Sequence, residues 1–240
     1  MTFKVKNICV DLELDNIVRA IEKAIGEDIP NQLYENRLET NNYIGLMRGD
    51  FINENLRRFL PSNGYELVPI QRYGWHGRVI INREKKVSIS ILTQANLRMI
   101  PQKKRSKPHY TMSILKVQNN DLQGCYKQQS LFPLEPFDEE ILKADYDEIF
   151  SGAFDSSDGY HHFFITYRAE ASELVDVRLV LMDPEFNIVE EVSLNHLIKP
   201  DFARLTEEKE FNIPTKEIHS EATRQLFRIK PGLRIMKEQA

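Results

Sequence analysis

A chain of 240 residues, 41% hydrophobic, 28% charged and 10% aromatic, has the apolar surface for one large domain or two small ones and is not a disordered chain. No stretch approaches the roughly 18 consecutive apolar residues of a membrane span, and the opening Met-Thr-Phe-Lys-Val-Lys-Asn is not a recognisable secretory signal, so no membrane partner is expected. The net charge of −4 conceals two blocks: residues 66–116 carry eleven Lys/Arg against two Asp/Glu, and residues 117–210 carry seven against twenty-one.

In chain order, Leu14, Ile17, Val18, Ile21 and Ile25 recur at helical spacing, which predicts a helix capped by Asp15, ended by Gly26 and closed off by Pro30. A polar, Asn-rich stretch follows from Asn31 to Asn42, then a second helix from Asp50 to Leu60 stopped by Pro61. Past Ser62-Asn63-Gly64 the period changes to two. It predicts strands at Tyr65–Gln71, Arg78–Asn82 and Lys86–Leu92, the last two joined by a hairpin through Asn82-Arg83-Glu84-Lys85. Val87, Ile89 and Ile91 alternate with Ser88 and Ser90, the pattern of a sheet with one covered face. Thr93 is placed to cap a short helix ending before Pro101. The basic run Lys103-Lys104-Arg105-Ser106-Lys107 comes next, and His109–Val117 reads equally as strand or helix.

Residues 118–137 form a long connection of a kind uncommon inside compact domains, a candidate sub-boundary. An acidic helix from Asp138 to Phe150 precedes a meander of Tyr160–Arg168, Val175–Met182 and Asn187–Val192, with Val175, Val177, Leu179 and Leu181 on one face. A helix around Thr215–Phe227 and a basic tail end the chain. The expected class is α+β: N-terminal helices with an antiparallel sheet of hairpins and meanders, helices on one side. The expected organisation is a helical region over 1–62, an α+β core over 63–200 and a C-terminal helix and tail over 201–240.

Chemistry concentrates in the middle third. Arg72, Tyr73, Trp75, His76 and Arg78 surround Gly74 and Gly77, which places Trp75 at a turn, and the run of Lys103, Lys104, Arg105 and Lys107 follows. Cationic side chains neutralise phosphate, and an exposed indole stacks an unpaired base, so DNA or RNA is the expected ligand of Arg72, Trp75, Arg78 and the 103–107 run. The plainer alternative is a core-capping Trp75, a solvated lysine loop, and basic and acidic blocks that cancel within the fold. The acidic region 138–191 is a second candidate face, for a protein partner.

The competing class is a nuclease or nuclease toxin. Asp11 and Glu13 follow Ile8-Cys9-Val10, and on a strand they share a face, where paired carboxylates hold Mg²⁺. His161 and His162 begin a strand on opposite faces, so one at most serves as a general base for metal-free RNA cleavage. The chain lacks a phosphate loop, a dinucleotide fingerprint, a nucleophile elbow and a His-Glu-x-x-His motif, and no cofactor or metal is expected. Cys9 and Cys125 are too far apart for a disulfide framework, and no Asn-x-Ser/Thr acceptor occurs, which points to a reducing, cytoplasmic setting.

Arg72-Tyr73-Gly74-Trp75, the strands after it, and Pro108-His109-Tyr110 up to Asn119 resemble an uncharacterised bacterial family often carried by prophages and mobile elements. Tyr160–Tyr167, Val175–Asp183 and Glu190-Glu191-Val192-Ser193-Leu194 are similar in pattern, so the resemblance covers residues 65–200. It implies a phage or host-conflict setting in a Gram-positive bacterium, and no catalytic residues. A non-enzymatic binding or regulatory protein is the leading expectation.

Overall fold

The computed structural model describes residues 14–36, 40, 42–60, 64–72, 75–124, 137–150 and 158–199. Asp11, Glu13, both cysteines and the expected C-terminal helix and tail lie outside the described residues. The chain is α+β, with N-terminal helices and a six-stranded, mostly antiparallel open sheet.

Helix α1 (Leu14–Lys23) forms where the apolar stripe predicts it, and Leu14, Ile17, Val18 and Ile21 are all buried. Burying each such side chain stabilises by roughly 1.5–3 kcal/mol. Gly26 does not end the helix. A π-helical turn, Ala24–Asp28, continues it into α2 (Ile29–Asn36), with Ile29 N–H bonded to Ala24 O. The wider turn carries the chain to Pro30, which has no N–H to give to the ordinary helical ladder. Lys23 pairs with Asp28 and lies 3.3 Å from Glu27.

Helix α3 (Ile44–Phe59) begins earlier than the expected Asp50. Gly45 and Gly49 weaken the helical signal there, yet both face open space and cost only propensity. Buried Asn55 anchors α3 to the π turn, donating to Ala20 O at 3.3 Å and to Asp28 Oδ2 at 2.6 Å.

The sheet runs in chain order: β1 (Tyr65–Arg72), β2 (Trp75–Asn82), β3 (Val87–Thr93), β4 (His161–Glu170), β5 (Glu173–Met182) and β6 (Ile188–Ser193). Pro69 fits because β1 is an edge strand, where a missing donor is tolerated. All neighbours are antiparallel except β3 and β4, which are parallel from Val87↔His161 to Thr93↔Tyr167. The antiparallel expectation holds for every other pair of neighbours. Parallel neighbours need a long crossover, and this one includes α4 (Gln94–Met99), α5 (Tyr110–Gln118) and α6 (Glu139–Phe150). The segment that read as either strand or helix is therefore α5, capped by His109, whose ring accepts from Thr111 N–H.

Helices cover both faces of the sheet rather than one. Ile80, Ile89, Phe163, Ile165 and Leu179 pack with α1 and α3, whereas Val79 and Ile81 pack with Ile114, Tyr146 and Phe150 of α5 and α6. Leu97, Leu115, Phe164 and Val180 extend that second layer. Ser88 and Ser90 are consequently buried, although their alternation with Val87 and Ile89 reads as a half-exposed strand. In β5, a register shift opposite Arg168/Ala169 puts Leu174 in the core and leaves Val175 only half-buried.

Candidate functional site

The β1–β2 ladder runs without interruption from Tyr65↔Asn82 to Arg72↔Trp75, but β2 and β3 share only Ile80↔Ile89, Ile81↔Ser88 and Asn82↔Val87. Beyond Ile80 the two strands part, because β3 stays with β4 as far as Thr93 while the hairpin diverges. Tyr110, the first residue of α5, occupies the parting. Its ring stacks on Trp75 at 5.5 Å between centroids and 22° between planes. Burial pushes the Tyr110 phenol up to about 12, so it stays neutral at working pH. The His109 ring lies tilted against Tyr110 at 4.6 Å.

A groove of about 1060 Å³ opens at this parting. Trp75 forms one bank, Leu92, Asn96 and Ile100 the other, and the 103–107 loop its rim. That volume exceeds the roughly 300–1,000 Å³ of small-molecule pockets. Lys103, Lys104, Arg105, Lys107 and His109 line it, and among the described residues no carboxylate does. Lys103, Lys104 and Arg105 form no ion pair among the described residues. Elsewhere the two charge blocks do touch: Lys116 lies 2.7 Å from Glu139, holding that carboxyl below its ordinary value.

Trp75 is the first residue of β2, paired with Arg72 across the two residues that join β1 to β2, and 45% of its surface is exposed. The indole lies across Gly77, two residues along the same strand face. A Cβ at Gly77 would stand 2.2 Å from Trp75 Cη2, 2.7 Å from Cζ2 and 2.8 Å from Cζ3. Gly77→Ala is therefore expected to drive the indole off Tyr110, changing the Trp75 emission and near-ultraviolet dichroism while costing about 1 kcal/mol of stability. Unchanged spectra would show that the ring does not rest there.

Arg78 is separated from this group. With His76 it borders a second cavity of about 790 Å³, shared with Asp50, Glu54 and Arg57 of α3 and with Glu148 of α6. That cavity is mixed in charge. Glu54 is held down to about 2 by its hydrogen bond to Arg57, and Arg58 also pairs with it. Arg72 ends β1 opposite Trp75.

The histidines part as their adjacency predicts. His161 is half-buried, 3.2 Å from Asp121. His162 is wholly buried: its Nδ1 lies 2.6 Å from Ser88 Oγ, which donates to Gln118 Oε1 at 2.5 Å, while Gln118 Nε2 donates to the Tyr146 hydroxyl at 2.9 Å. Burial lowers His162 to about 3. A ring that meets no solvent and scarcely takes a proton cannot act as general base on a substrate arriving from solution. Sequence reasoning missed this network, since Ser88 reads as a solvent-facing strand residue and Gln118 as part of a loop. Among the described residues no group of three His, Cys, Asp or Glu is placed to hold a metal, and no helix is long and apolar enough to cross a membrane.

Comparison with curated proteins and with solved structures gives no match. Residues 7–239 match a family of unknown function, DUF5986, and the chain belongs to that family.

Proposed function

We propose that the protein binds nucleic acid through the groove between β2 and β3, as a binding or regulatory protein without chemistry of its own. One observation carries this reading: residues far apart in sequence, Trp75 and the Lys103–Lys107 run, line a single groove, and among the described residues no carboxylate lines it. Lys103, Lys104 and Arg105, which form no ion pair among the described residues, are available to displace the counterions of a phosphate backbone. A phage or mobile-element setting, implied by the resemblance over residues 65–200, and the cytoplasmic setting that the two distant cysteines suggest suit a protein that meets foreign DNA or RNA.

The test is the salt dependence of binding to unrelated oligonucleotides, followed by anisotropy. Affinity should fall steeply with salt, and the double charge reversal Lys103→Glu, Lys104→Glu should weaken it about tenfold at low salt. The same variant should flatten the slope of log affinity against log salt by about two, whatever the sequence. Binding that ignores salt, or an unaltered double variant, removes the proposal.

A further inference from the structure

We infer that the groove selects single-stranded over double-stranded nucleic acid, because an unpaired base completes the stack begun by Tyr110 and Trp75. This deepens the binding role proposed above and rests on it.

The six-membered ring of the indole lies against Gly77, Tyr110 packs on it at 5.5 Å between centroids, and 45% of the Trp75 surface stays exposed. What remains exposed borders the groove, and the cationic 103–107 loop lies along the same groove. The arrangement therefore offers a flat aromatic surface beside phosphate-binding charge, the pairing that single-strand binders use. Duplex bases are already stacked and paired, and reaching the indole would require one to leave the helix at a cost of a few kcal/mol. A single strand meets that requirement at far smaller cost. Among the described residues the groove carries no negative charge to repel phosphate, since Tyr110 is neutral and no carboxylate lines it. The parting of β2 from β3 is what opens the space. Had the ladder continued past Ile80↔Ile89, β3 would occupy the groove floor.

Trp75 is the only tryptophan in the chain, so its emission reports directly on the proposed stack. The full chain is titrated with oligothymidylate, with oligouridylate and with a thymidylate–adenylate duplex of the same length. The expected result is quenching by either single strand, with affinity at least about tenfold above the duplex. Trp75→Ala should remove that advantage while leaving the weak, salt-dependent duplex binding in place. Trp75→Phe, which keeps a stackable ring, should retain most of the advantage by anisotropy. Equal affinity for single strand and duplex, with Trp75 emission unchanged and binding still lost on charge reversal at Lys103 and Lys104, overturns the single-strand inference and leaves the groove reading intact. No salt-dependent binding to any of the three overturns both.

Discussion

Replacing Asn119 by alanine is expected to lower stability by about 3–5 kcal/mol, a large part of the roughly 5–15 kcal/mol available to a domain. The β4–β5 ladder has its first pair at Phe163↔Leu181, and the Asn119 carboxamide sits where the next rung would be. Its Nδ2 donates to His162 O at 2.9 Å and to Met182 O at 2.7 Å, and its Oδ1 accepts from His162 N–H at 2.8 Å. Asn119 is fully buried, so water cannot readily take over these bonds. Alanine would leave one donor and two acceptors without partners, each worth about 1–3 kcal/mol of desolvation. Asp is no rescue: it keeps an acceptor, loses both donors and buries a charge. Urea denaturation of Asn119→Ala checks this, and a loss below about 1 kcal/mol would mean that the surrogate rung does not bear on stability. The same residue ends α5, with its own N–H bonded to Leu115 O at 2.9 Å, a backbone bond that alanine keeps.

Asn119 also shows where reading the sequence stops. Strands and helices with a strong apolar period were legible: α1, the three strands of the C-terminal meander and the Thr93 cap, whose Oγ1 accepts from Asn96 N–H at 3.1 Å. Periodicity reports which positions want burial, not which element does the burying. Ser88 and Ser90 therefore read as solvent-facing, because a small hydroxyl residue signals exposure unless its cover is known, and the helices that bury both, with the Ser88 partner Gln118 among them, come from the crossover. Parallel pairing of β3 with β4 was hidden for a similar reason: the crossover contains polar stretches that mask its helices. Gly26 and Pro30 gave a stop signal that the π turn bypasses, and nothing in composition distinguishes a π turn from a helix end.

The candidate site was half legible. Charge and aromatic content singled out Trp75 and the 103–107 run, and these share the groove. Strand alternation, once β2 is known to begin at Trp75, sends Arg78 to the opposite face from Trp75, Gly77 and Val79. Tyr110 went unnoticed because its contact with Trp75 depends on α5 packing across the parted strands.

The largest acid sensitivity should belong to His162. In the fold its pKa lies near 3, and in the unfolded chain near 6.5, because the ring is buried among Ser88, Gln118 and the Phe164 edge with no carboxylate to favour the cation. Above pH 6.5 the ring is neutral in both states and adds no pH dependence. As pH falls below 6.5 the unfolded chain takes up a proton that the folded chain refuses, so stability declines by up to about 1.4 kcal/mol per pH unit until pH approaches 3. Glu54, Glu139 and Asp176 have lowered values, and they also favour the fold at neutral pH and lose that contribution as they protonate. Wild-type acid denaturation therefore mixes several groups, and the histidine must be isolated by difference. His162→Leu removes one titrating group without introducing another. Between pH 6 and 4 the stability of this variant should fall less steeply than that of the wild type, by close to one proton in the linkage slope. The comparison is of slopes, so it survives a uniform loss of stability from the substitution itself. Parallel curves for the two proteins would mean that His162 is protonated in the fold, and the neutral Ser88–Gln118–Tyr146 chain around it would have to be redrawn.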